Sequence, residues 1–226
     1  VNEDRVLALP DRCRSAHGVF TAAPLDAAAD FPAPADALLR RFGATPDDLD
    51  RLASRPFVRM FTTETSVDQA AAAVGAARRA ALDLAAAHDG VVVDLTIPRV
   101  VTGSETGSDT DGAARWVAVD VDPGGLTTRG LEAFGLPELR LDGVRPDHAA
   151  AAIAVLLGLA ERLLTEWPDR DPVGPATVTL HDVALAYGDP SADEATPAPG
   201  TDLLLALRDG ELVLTLLGDP ATDLFG

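Results

Sequence analysis

Lysine is missing: the 18 basic residues of this 226-residue chain are all arginine. There is therefore no lysine for a Schiff base or for a phosphate-binding P-loop. GC-rich coding, which also favours alanine, glycine, proline, aspartate and valine, explains this more simply than selection against lysine modification. Cysteine is nearly missing. Cys13 stands alone, which rules out a disulfide within the chain and predicts a reducing, cytoplasmic compartment. Aromatic residues make up only 4% while apolar residues reach 47%. Much of the apolar content is alanine, which predicts closely spaced elements with few large side chains.

Long hydrophobic runs are lacking as well. The longest, residues 149–160, is shorter than the roughly 20 residues that span a bilayer. The opening VNEDRVLALPDR has no basic stretch leading into a long apolar one, so no signal peptide is expected within it. Positive charge is scarce beside 36 acids, giving a net charge of −18. Such a field repels nucleic acid and anionic membrane surfaces, and neither is an expected partner. A protein with a basic surface is the partner that fits; adaptation to high salt is another reading of the same charge.

Recognisable site motifs are also few. The chain has no G-x-S-x-G, G-x-G-x-x-G or Walker sequence. His17, His88, His148 and His181 show no His-x-x-x-His spacing, and no cysteine pair exists, so neither metal nor cofactor is expected. TGSETGSDTDG (102–112) invites a calcium reading. With Gly112 at loop position 6, Asp109 and Asp111 fall on ligand positions, but Gly107 and Ala118 occupy positions 1 and 12. The loop therefore reads as a connection between strands. Cys13 and His17 lie close in sequence, and Arg12 and Arg14 could depress the thiol pKa. Spacing alone does not make them a nucleophile and base, and an incidental cysteine is the plainer reading.

What is present is periodicity. Residues 17–23 and FVRMFT (57–62) read as strands, and 36–42 as a short helix stopped by Gly43. Thr45, Pro46 and Asp48 form a helix start with a capping box. Ser66 and Gln69 repeat that pattern before a helix running to His88. Its small face carries Val67, Ala71, Val74, Ala81 and Ala85, with Arg78, Arg79 and Asp83 in solvent. GVVVDL (90–95) follows as a buried strand, parallel to the first in a β-helix-β unit. ARWVAVDVD (114–122) alternates. Pro146 and Asp147 open a long helix with Ile153, Leu156, Leu157, Ala160, Leu163, Leu164 and Trp167 on its core face. Residues 176–187 read as a strand that places His181 and Asp182 on opposite faces. Residues 188–200 read as a long loop. LLLALRDGELVLTLL (203–217) is a hairpin turned at Asp209-Gly210, with Arg208 facing Glu211.

The expectation is an α+β fold: a mixed β-sheet with two long helices on one face, a ferredoxin-like core with extra strands. One domain spans 1–226, and residues 1–55 decorate it.

In LTTRGLEAFGLPELRLDGV, the residues Thr128, Gly130, Leu131, Phe134, Gly135, Pro137, Glu138 and Leu139 form a T-x-G-L-x-x-F-G-x-P-E-L pattern. It resembles a signature of poorly characterised bacterial families of unknown function. Those families are also similar in setting an alanine-rich helix before a GG-V-V-x-D strand, where this chain has Asp89 at the first glycine. The resemblance spans about residues 57–165. It implies an α+β domain and no established activity, so no catalytic residue carries over. The residues alone read as a structural corner, with glycines bracketing one helical turn and proline forcing the exit.

Strand ends often carry ligands, and Arg59, Arg99 and Arg129 are the candidates for an anionic ligand. With no catalytic set in view, the expected function is a non-enzymatic binding or interaction module. The alternative is a small-molecule enzyme whose site is assembled from distant residues. A deep cleft with two converging titratable groups would favour the second.

Overall fold

The computed structural model describes residues 6–26, 31–101, 112–189 and 198–226. The fold is α+β. The strands form two sheets where the sequence suggested one, and the chain divides into two compact units. One holds residues 10–107; the other holds residues 108–226 together with the first nine. The loop at 102–111 and residues 190–197 of the predicted 188–200 loop lie outside the described residues.

The N-terminal unit contains β1 (Cys13–Thr21), α1 (Asp36–Arg41), α2 (Pro46–Ala53), β2 (Phe57–Thr65), α3 (Val67–Ala87), β3 (Val91–Asp94) and β4 (Arg99–Val101). Its sheet has the order β2-β1-β3-β4, antiparallel throughout. β2 and β3 both run against β1 and so run parallel to each other, as the β-helix-β pattern predicted. They are not neighbours, because β1 sits between them. This is a split β-α-β unit. Residues 13–21, from the segment read as decoration, thus form an inner strand.

Alternation gives this sheet two buried faces. Phe20, Val58, Val91 and Val93 pack against Leu39, Leu49 and Leu52 of α1 and α2. Val19 and Val92 pack against Ala81, Leu82 and Ala85 of α3. The buried stripe of α3 is Ala70, Val74, Arg78, Ala81, Leu82 and Ala85. It is rotated from the predicted one, leaving Ala71 exposed and taking Arg78 inside. Ser66 caps α3 through its backbone position only, and Gln69 is bonded to Thr65 instead. Asp89, not Gly90, makes the left-handed turn after α3 (φ 48°). Arg55 secures it, donating to the Asp89 carbonyl at 2.8 Å and carboxylate at 2.7 Å.

The C-terminal unit contains β5 (Ala118–Asp122), β6 (Gly125–Arg129), β7 (Leu139–Asp142), α4 (Ala149–Glu166), β8 (Gly174–Thr179), α5 (Leu180–Ala186), β9 (Gly200–Arg208), β10 (Glu211–Leu216) and α6 (Pro220–Phe225). Its six-stranded sheet runs β5-β6-β7-β10-β9-β8 and is mixed, since β7 and β10 are parallel. Leu126, Leu139, Leu141, Leu203, Leu205, Leu212 and Leu214 form one core with α4. The two long helices therefore serve separate sheets. With the turn before it, α4 forms the 21-residue segment Pro146–Glu166, long and apolar enough to cross a membrane (mean hydropathy 1.5); here it is covered by β8, α5 and α6. The predicted 176–187 strand ends at Thr179. There Thr179 and Asp182 form a capping box and start α5, so His181 and Asp182 share a helical first turn.

Candidate functional site

β7 and β10 keep register only at Leu139 with Leu212 and Arg140 with Val213. Beyond that the ladder stops, and a cleft of about 680 Å³ opens between Leu141–Asp142 and Leu214–Leu216. Adjacent parallel strands that part at their carboxyl ends are a recurrent place for ligands.

Two helix starts supply the cleft with polar groups. Gly143 (φ 69°) turns the chain out of β7. Pro146 then begins a 3-10 turn that delivers His148 to the first position before α4. Asp219 caps α6, accepting from the Ala221 N–H at 3.1 Å and the Thr222 hydroxyl at 3.0 Å. These bonds hold the Asp219 carboxyl below its ordinary range, the Thr222 bond most strongly, with help from nearby His148 and Arg145. His148 Nδ1 lies 3.2 Å from Asp219 Oδ1, and Nε2 lies 3.7 Å from Asp147 Oδ2, beyond hydrogen-bond reach. Both ring nitrogens thus face acidic side chains, with Nδ1 the closer. Arg145 forks onto Asp147 at 3.1 and 2.5 Å and lowers its carboxyl pKa. Asp142, on the same rim, accepts from Arg140 at 2.8 Å. Arg208, from the end of β9, also lines the cleft and has no ion pair among the described residues.

In the N-terminal unit charge is buried instead. Phe61, His17, Asp94 and Arg99 stand in one row across the four strands. His17 and Asp94 are buried, 3.8 Å apart, and Arg78 of α3 is 1% exposed. Asp94 Oδ1 accepts from the N–H groups of Thr96 and Ile97 at 2.9 and 3.1 Å. Neither ring nitrogen of His17 has a hydrogen bond among the described residues. Burial pushes the His17 pKa down and Arg78 adds to this, against the pull of Asp94. The set is sealed. A second hollow of about 490 Å³ lies between α2, α3, β3 and β4, but two of its acids are already engaged, Asp48 in a capping box and Asp89 with Arg55.

Arg59 and Arg99 fall on opposite edge strands of one sheet, three strand spacings or about 14 Å apart, so they form no shared site. Arg59 donates to the Asp26 carbonyl at 2.5 Å. Arg99 belongs to the buried row. Arg129 lies in the other unit, half exposed, 3.9 Å from Asp120. Cys13 is buried, which raises its thiol pKa, the reverse of activation. It shares a strand face with His17 four residues on, about 13 Å away. Sequence reading missed His148, Asp219 and Arg208 as a group. Asp219-Pro220, an acid before proline, was a legible helix start.

The T-x-G-L-x-x-F-G-x-P-E-L residues build a corner. Glu138, 7% exposed, accepts from the Thr128 hydroxyl at 2.6 Å and from the N–H groups of Gly130 and Glu132 at 2.7 and 3.3 Å. Thr128 in turn accepts from Leu139 N–H at 2.7 Å. Gly130 (φ 120°) and Gly135 (φ 80°) take conformations closed to other residues at low cost. Phe134 stacks edge-on against Trp116. These residues are consumed in holding β6 to β7. Among the described residues no cluster of His, Cys, Asp or Glu suits a metal ion.

Comparison of the chain with family models, with curated proteins and with solved structures gives no match.

Proposed function

We propose that this chain is a binding protein for a small polar organic molecule, which it takes up in the cleft between β7 and β10. One observation carries the reading: His148, Asp219 and Arg208 all line an open cleft of about 680 Å³, whereas the charges of the N-terminal unit are sealed in its core. The buried, unpaired Cys13 supports a reducing, cytoplasmic setting.

A thermal-shift panel of the whole chain against amino acids, dicarboxylic acids, sugar phosphates and nucleosides tests it. Binding to the folded state alone raises stability by about 2.7 kcal/mol at a hundredfold excess over Kd. At least one class should raise the midpoint, and His148→Ala should abolish that rise. A panel with no rise, or a rise indifferent to His148, sinks the reading.

A second reading, an enzyme in the same cleft, is favoured by the His148–Asp219 pair. An imidazole 3.2 Å from a carboxylate at an open cleft is a group that can carry a proton in general acid–base catalysis. Turnover of a panel compound that stops in His148→Ala would select it over simple binding.

A further inference from the structure

We propose that the ligand of this cleft carries an acidic oxygen group, a carboxylate or a phosphate, that docks on Arg208; this rests on the cleft being the binding site. The argument follows the state of each charged group on its wall. Asp142 is held by Arg140. Asp219 is held by His148, Ala221 and Thr222. Arg145 has one edge of its guanidinium, Nε and Nη2, on the Asp147 carboxylate. A cation entering the cleft would have to compete with partners already in place. Arg208 alone among these lining charges brings a full charge with no ion partner among the described residues.

A guanidinium presents parallel N–H donors that match a carboxylate or phosphate edge. His148 lines the same cleft, beside Asp219. The net charge of −18 opposes the approach of any anion. That repulsion is screened beyond about 8 Å at physiological salt, so the local fork decides affinity. The half-buried Val144, Val213 and Leu216, which also line the cleft, then accommodate an apolar portion of the molecule.

The experiment titrates the whole chain with inorganic phosphate, with succinate, with neutral succinamide and with the diamine putrescine. Heats are read by calorimetry and the His148 ring signals by NMR. Phosphate or succinate should bind, and Arg208→Gln should weaken that binding about tenfold. Arg208→Lys should keep more of the phosphate than of the succinate affinity, because it loses the fork but keeps the charge. Arg208 is exposed, so its variants should melt with the parent, and Arg40→Gln on α1 should change nothing. Binding of phosphate or succinate that survives Arg208→Gln overturns the proposal. So does binding of succinamide or putrescine alone, which would leave the cleft a binding site for a different ligand. If none of the four probes binds, the proposal fails, and the binding reading then stands or falls by its own panel.

Discussion

The two units bury charge in opposite ways. In the N-terminal unit a carboxylate, an imidazole and a guanidinium lie together between sheet and helix, and the His17 ring has no hydrogen bond among the described residues. In the C-terminal unit the corner buries one carboxylate, Glu138, and surrounds it with three donors. One arrangement packs three ionisable groups together. The other satisfies a single charge with neutral dipoles, mostly from its own turn. Removing a charge without changing shape should therefore affect the two very differently.

The largest effect is expected at Asp94. Asp94→Asn can keep an oxygen for the Thr96 and Ile97 N–H groups, but it removes a buried carboxylate that stands 3.8 Å from His17. Breaking such a set should cost about 3 kcal/mol in a urea melt. Glu138→Gln also keeps Oε1 for Gly130 and Glu132 and strands no cation. It should cost about 1 kcal/mol, the difference between a charged and a neutral acceptor. Equal losses at the two positions would erase the distinction between the units.

Acidification sharpens the same contrast through its sign. The folded pKa of His17 lies below its ordinary 6.5, so the unfolded chain takes up the proton first. The stability tied to His17 is complete above pH 6.5 and is lost as pH falls through the lower folded value. The folded pKa of Glu138 lies above its ordinary 4.5, because burial outweighs its hydrogen bonds. Its contribution is complete below pH 4.5 and is lost as pH rises through the folded value. The stability of the parent minus that of His17→Gln should therefore decline as the solution is acidified below pH 6.5. The same difference for Glu138→Gln should decline as pH rises from 4.5. Difference profiles of the same sign would show that one of the two environments is misassigned.

The sequence was most informative where a local rule governs the local outcome. The Thr45 capping box, the Asp209-Gly210 hairpin, the Gly-bracketed corner and the α4 stripe all follow from spacing within a few residues, and all are in the structure. It was least informative where a distant strand decides. Nothing near Arg78 signals that the row of His17, Asp94 and Arg99 will draw it inside, and an arginine on an alanine-rich helix reads as solvated. The two-sheet division depends on β1 pairing with both β2 and β3, a choice that strand patterns do not encode. The cleft needs two loops from opposite ends of the C-terminal unit, residues 143–148 and 218–220, to meet. Arg59 and Arg99 stand on opposite edge strands of one sheet, and Arg129 belongs to the other unit.

One local rule was present twice and legible once, and this gives the smallest test. Thr45-Pro-Asp-Asp48 and Thr179-Leu-His-Asp182 both close a capping box on the helix that follows. The first was plain because proline and acids interrupt any strand pattern. The second was hidden by Val178, Leu180 and Val183, whose spacing continues the β8 alternation in part. Thr45 lies on an exposed turn, so in Thr45→Ala water can replace the lost bond to Asp48 N–H, and the cost should be about 0.5 kcal/mol. Thr179 is half buried at the join of β8 and α5, and its box redirects the chain from sheet to helix. Thr179→Ala should cost about 1 kcal/mol, and Thr179→Ser, which keeps the acceptor, should recover most of it. If Thr45→Ala is the more damaging of the two, the helix after β8 is set by the packing of Val183 and Ala186 on α4 and not by its cap.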